Sequence, residues 1–226
     1  MLKTSLLLSV PMMVVGKIAR ACELALLLAV DVSGSIDGRE YRVQMEGLAA
    51  ALRDGIVVEA LVEQRASVAL MQWTGAGRQH VSIPWTSIEA AQDAEFLAAQ
   101  VVAQPRRWNQ YSTAIGDALL AAVKLLEDGP LCKRMVVDVS GDGVSNEGPD
   151  VRQGRRMVEK LGATINAVVI ETSDDDLTGY FWENVITGPG AFVMTAAGFE
   201  DYPARIRQKL IREVADQVAI LDTSRP

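Results

Sequence analysis

The 226-residue chain is poor in the side chains that most often do chemistry. It has one histidine, two cysteines, and 22 Lys and Arg against 29 Asp and Glu, for a net charge of −7. Two cysteines outside any C-x-x-C pair are too few for a zinc site. His80 is the one base open to a Ser-His-Asp triad, and it falls in a hairpin, away from the serines of the main motif. Neither G-x-S-x-G nor G-x-G-x-x-G occurs, so a hydrolase elbow and a dinucleotide fingerprint are both missing. No basic cluster exceeds a pair, as at Arg106-Arg107. Phosphate neutralisation needs a basic surface, so no nucleic-acid partner is expected.

Long apolar runs are also scarce. Leu6 to Val15, behind Lys3, is broken by Pro11 and too short to span a bilayer. Ala19-Arg20-Ala21 puts small residues at −3 and −1 of a cut before Cys22. Residues 1–21 therefore read as a secretory signal peptide. The mature chain, 22–226, is expected to be periplasmic or secreted, without a transmembrane span. Repeats, low-complexity tracts and linkers are missing from it, so it reads as one domain.

What is present is an alternation of strands and helices. The runs at Leu24 to Val30, "ASVALMQW", "KRMVVDVS", "TINAVVI" and "AFVMTA" read as strands, and "RQHVSIPW" as an antiparallel hairpin partner. Helices are expected over about 38–54, 57–64, 113–126, 150–161 and 202–220, with a short segment near 177–185. Asp37 with Glu40, and Thr86 with Glu89, have capping-box spacing; the second is expected to open a helix reaching about Val101. This order predicts an α/β fold: a doubly wound, mostly parallel six-stranded sheet with one antiparallel edge strand and helices on both faces.

In such sheets ligands bind at the carboxyl ends of the strands. The first strand ends in Asp31-Val32-Ser33-Gly34-Ser35, the fourth in Ser140-Gly141-Asp142-Gly143, and Thr113 stands before a helix. These are small oxygen donors at one edge. Alternate residues of an extended segment point the same way, which accounts for the D-x-S-x-S spacing. Two carboxylates and three hydroxyls suit a hard divalent cation. The competing reading of Asp31, Ser33 and Ser35 alone is a capped strand-to-helix turn. Asp37 reads as the helix cap and Asp138, inside a strand, as a structural carboxylate. The four tryptophans read as core or core-edge residues.

The motifs D-x-S-x-S at Asp31 to Ser35, "TAIGDAL" from Thr113, and Asp142-Gly143 after "RMVVDVSG" resemble the von Willebrand factor type A (VWA) domain and its metal-ion-dependent adhesion site. The resemblance covers nearly all of 22–226. It departs from the family in "WNQYST", which lacks the usual glycines before the threonine, and in Ser140-Gly141, where Thr is commoner directly ahead of Asp-Gly. The resemblance implies that Ser33, Ser35 and Thr113 bind Mg²⁺ (or Mn²⁺) directly, with Asp31 and Asp142 holding it directly or through water. It further implies a protein ligand offering a carboxylate; with no general base evident, no catalysis is expected. Tyr111, Trp108 and Asp174 are candidate rim residues around that ligand. The family sheet sets the first and fourth strands side by side, which places Cys22 and Cys132 at neighbouring strand starts and implies a disulfide. A degenerate structural domain without metal and a metal-dependent hydrolase are the alternatives.

Overall fold

Leu24 to Val30, in β1 (Cys22–Asp31), are all buried, as expected of an apolar run with strands on either side. A computed structural model describes residues 22–172 and 176–222, with side chains through Val214. The signal segment expected at 1–21 lies outside the described residues. β1 pairs in parallel with β2 (Ser67–Trp73) on one side and with β4 (Cys132–Gly141) on the other. β3 (Gln79–Ser87) adds an antiparallel edge to β2, while β5 (Thr164–Ile170) and β6 (Val193–Ala196) continue in parallel beyond β4. The order is β3-β2-β1-β4-β5-β6, the six-stranded, mostly parallel sheet that the alternation predicts.

Both faces are covered. Leu24, Leu26, Leu28 and Val30 face a core shared with α1 (Gly38–Leu52), α2 (Gly55–Glu63), α3 (Ala91–Ala103) and α7 (Tyr202–Asp222). Leu27 and Ala29 face a second core shared with α4 (Ile115–Glu127), α5 (Val151–Lys160) and α6 (Leu177–Asn184). Each fully buried Leu or Val contributes about 1.5–3 kcal/mol. No described helix is long and apolar enough to cross a membrane.

Local signals hold in one place and fail in two. Asp37 caps α1 with Glu40 as a reciprocal box, the carboxylate of Asp37 accepting from the Glu40 amide at 2.8 Å. Thr86 caps nothing: its strand pairs it with Val68, and β3 runs on to Ser87. The amides of Glu89 and Ala90 donate instead to Asp93 (2.9 Å each), and α3 starts at Ala91. Trp182, expected at the core or its edge, is 60% exposed, because the short α6 buries only Leu177 and Phe181.

Cys22 and Cys132 are register partners and form a disulfide, with Cα atoms 4.5 Å apart. The bridge spans 110 residues of sequence. Closing a loop of that length restrains the unfolded chain by about 4–5 kcal/mol in the entropic account.

Candidate metal centre

The chain runs outward from β1 to β2 and β3, then returns past β1 to β4. The carboxyl ends of β1 and β4 therefore form a topological switch point. Val30 pairs with Ser140, so the loops following the two strands meet.

The loop after β1 is held by its own backbone. The Val32 amide donates to the Trp73 carbonyl (2.9 Å) and the Ser33 amide to Asp31 Oδ1 (2.7 Å). Ser33 Oγ lies 3.3 Å from Ser35 Oγ, and Ser35 Oγ donates to Asp142 Oδ1 at 2.8 Å. That last contact joins the first motif to the third. Gly34 lets the threonine loop approach: its amide donates to the Tyr111 carbonyl at 2.8 Å, and a Cβ there would sit 3.1 Å from Gln110 Cα. Gln110 takes the left-handed conformation (φ 61°) in the loop that lacks the family's glycines.

Thr113 is fixed from the loop after β4. Its amide donates to Asn146 Oδ1 (2.9 Å), and its carbonyl accepts from the Asn146 amide (2.9 Å). Ser145 Oγ accepts from the Ile115 amide at 3.1 Å. A Cβ on Gly143 would lie 3.8 Å from Thr113 Oγ1, so the hydroxyl stands beside Asp142-Gly143. All five expected ligands thus converge. Ser35, Thr113 and Asp142 line a cleft of ≈ 310 Å³ with Tyr111, Val144 and Leu177, and Asp31 and Ser33 are buried behind Ser35.

Electrostatically the cluster is short of positive charge. Asp31 is fully buried, and a Cβ on Gly141 would meet its Oδ2 and the Phe181 ring at 3.4 Å and Trp73 at 3.7 Å. Burial, and then the charge of Asp142, push Asp31 up to about 8. Asp142 is raised too, mainly by burial, against the hydrogen bond from Ser35. Arg106 lowers both, but its guanidinium is spent on backbone, donating to the carbonyls of Val32 (3.1 Å) and Ser33 (2.8 Å).

Asp31 Oδ2 is buried and has no hydrogen-bond partner among the described residues. A buried carboxylate oxygen left this way is costly unless a cation meets it. The donor set of two carboxylates and three hydroxyls fits a hard, oxygen-seeking ion such as Mg²⁺ or Mn²⁺. No group of three or more His, Cys, Asp or Glu suited to a metal occurs among the described residues.

The rim is more selective than expected. Tyr111 lines the cleft, 41% exposed, with the Arg78 guanidinium 4.1 Å from its ring centroid. Trp108 does not line it; it packs against the core under α1 and α7 and stands edge-on to His80. Asp174 lies outside the described residues, and Asp176 caps α6 through the Gly179 amide (2.8 Å). Sequence reasoning missed Asn146, Ser145 and Arg106. "SNEG" reads only as a polar loop, and Arg106 only as half of a basic pair.

This strand order, with three oxygen-bearing loops at its switch point, defines the VWA class of fold. Within that class the chain belongs to the family described as "Protein of unknown function (DUF1194)", whose sequence profile matches residues 21–218. Proximal thread matrix protein 1 from the mussel byssus is similar in fold at 17% identity and a TM-score of 0.65, over 86% of this chain and 46% of that one. It has also been solved with a zinc-occupied MIDAS motif. The pilus adhesin SpaC from Lactobacillus rhamnosus GG matches at 15% identity and a TM-score of 0.62, over 85% of this chain and 30% of that one. The vWF domain of the type V pili tip protein Mfa5 from Porphyromonas gingivalis matches at 10% identity and a TM-score of 0.59, over 89% of this chain and 97% of that one. The chain thus spans less than half the length of the first two. No curated protein matches it in sequence.

Proposed function

We propose that this domain is an exported, divalent-metal-dependent protein-binding module. The observation that carries the reading is Asp31 Oδ2, a buried oxygen without a partner, set behind Ser35, Thr113 and Asp142 at a solvent-open cleft. Ser33, Ser35 and Thr113 would hold Mg²⁺ (or Mn²⁺) through hydroxyls, and Asp31 and Asp142 would balance its charge. The ion supplies an electrophilic position for an outside carboxylate. The chain's own part is to fix the donors: Gly34 docks the serine loop on the threonine loop, and Asn146 locks Thr113. Tyr111 and Val144, both exposed, would contact residues flanking a partner's Asp or Glu.

A binding role is favoured over catalysis by His80, which is occupied by Trp108 and lines no part of the cleft. Export is supported by the disulfide, which persists in oxidising compartments. It is also supported by structural relatives that are pilus proteins. The test is a pull-down from periplasmic extract with Mg²⁺ or with EDTA, using the wild type and Asp31→Ala. A partner retained only by the wild type with Mg²⁺ is expected; equal retention in all arms would refute metal-dependent binding.

A further inference from the structure

On the opposite face of the sheet from Asp31, a second carboxylate cluster is sealed under α7. Lys209 and Glu213 lie one turn apart on that helix and face Asp138 in the middle of β4. All three are buried, at 0%, 3% and 3% exposure. Lys209 Nζ is 2.6 Å from Asp138 Oδ1 and 2.6 Å from Glu213 Oε1. Asn166 Nδ2 donates to the same Glu213 oxygen at 2.9 Å, and its own oxygen accepts from the Phe192 amide. Phe192 and the buried Tyr202 help to close the chamber, the Phe192 ring centroid 5.7 Å from Nζ. Of the other cations nearby, Arg134 is turned to the Glu213 backbone carbonyl (2.9 Å) and to Gln64, and Arg212 lies over the Phe192 ring, 3.9 Å from its centroid.

As an ion cluster this is poorly balanced. One ammonium faces two carboxylates, and Asp138 Oδ2 and Glu213 Oε2 have no hydrogen-bond partner. Buried charges without full pairing are costly. Burial, with Glu213 as the next cause, pushes Asp138 up to about 7, toward the neutral acid. A neutral carboxylic acid, an amine in contact with it and a carboxylate able to take and return a proton are the components of amide formation. Holding them in contact replaces a bimolecular collision with an intramolecular step. Water is kept from the chamber, so hydrolysis does not compete.

We infer that Lys209 and Asp138 are a self-cross-linking pair, joined by an isopeptide bond that Glu213 assists. Glu213 takes a proton from the Lys209 ammonium. The freed Nζ lone pair attacks Asp138 Cγ, and a C–N bond forms. The C–OH bond then breaks, and the hydroxyl leaves as water with a proton returned from Glu213. The nitrogen loses its second proton to Glu213, which ends as the neutral acid. Ammonium, carboxylic acid and carboxylate thus become amide, water and carboxylic acid, with charge conserved and no oxidant or activating cofactor needed. The link ties α7 to the strand whose tip carries Asp142, while the disulfide holds the other end of that strand.

The test is intact mass and tryptic mapping of the reduced full chain after the folded protein has stood at neutral pH. The wild type is expected to be lighter by one water. Residues 135–152 should be found joined to residues 208–212, with the bond after Lys209 uncut. Glu213→Gln and Lys209→Arg are expected to show the full mass and no joined peptide. A wild type with full mass, cut after Lys209 and free of any joined peptide, overturns the inference. So does a joined peptide that survives undiminished in Glu213→Gln, since Glu213 would then have no part in the step.

Discussion

Two pairs of carboxylates, Asp31 with Asp142 at the tips of β1 and β4 and Asp138 of β4 with Glu213 of α7, are treated in opposite ways. Asp138 and Glu213 are closed under α7 with a lysine between them. Asp31 and Asp142 stand at the strand tips beside a cleft, and no Lys or Arg ion pair reaches them among the described residues. Arg106, whose charge lowers both, grips carbonyls instead. The fold supplies Lys209 as a partner where the carboxylates are sealed inside. Where the site opens to solvent it supplies no such partner among the described residues, and that gap is what the proposed ion would fill.

The largest expected effect comes from stripping the internal cation. Lys209→Met removes the cation and, with it, the nitrogen of the inferred cross-link, and should cost about 3–5 kcal/mol, read as a lower midpoint in urea unfolding. An unchanged midpoint would mean that Lys209 holds α7 to β4 neither by charge nor by a bond. Opening the Cys22–Cys132 bridge with reductant should cost about 2–5 kcal/mol at the far end of the same strands, without changing Mg²⁺ affinity. If affinity falls with it, the two ends are coupled.

The same change at the cleft should do the reverse. Asp31→Asn removes a buried charge that no ion pair offsets among the described residues, so the metal-free variant should melt above the metal-free wild type at pH 8. Added Mg²⁺ should raise the wild-type melting temperature and leave the variant's unmoved. Equal melting of the two metal-free proteins would show that Asp31 carries no penalty.

The pH dependence has a definite sign. Folded Asp31 titrates at about 8 against 3.8 for the free side chain. Between those values the folded state keeps a proton that the unfolded state has released. The contribution of Asp31 to metal-free stability is therefore fullest below pH 3.8 and is lost as pH rises toward 8. Because Mg²⁺ and the proton compete for the carboxylate, Mg²⁺ affinity should climb over the same range and level off near pH 8. Affinity that is flat from pH 5 to pH 8 would separate Asp31 from the ion. The smallest effect is expected for Ser35→Ala, which removes one hydroxyl donor and should weaken Mg²⁺ binding about tenfold.

Much of this was legible in the sequence. Strand runs bounded by turn residues mark the six strands and their alternation with helices, and two motifs at strand ends with a third before a helix locate the cluster. The wording around Thr113 and Asp142 favours the ligand-set reading of Asp31 to Ser35 over the cap. What stayed hidden depends on contacts between distant segments. Asn146 is one polar residue among several until the backbone brings it to Thr113. Thr86 has capping spacing, but the ladder to Val68 claims it first. Asp138 read correctly as structural, yet nothing in its neighbourhood announces Lys209, 71 residues on, as its partner. Trp182 looked apolar enough for the core, and only the shortness of α6 turns it outward.

The central claim is that the oxygen cluster at the tips of β1 and β4 needs a cation from outside. Isothermal titration of Mg²⁺ into EDTA-treated, dialysed protein at pH 8 tests it most directly, with Asp31→Ala alongside. Saturable binding of one ion by the wild type, lost in a variant that still folds, is the predicted result. No binding by the wild type at millimolar Mg²⁺ or Mn²⁺, or equal binding by the variant, would contradict it.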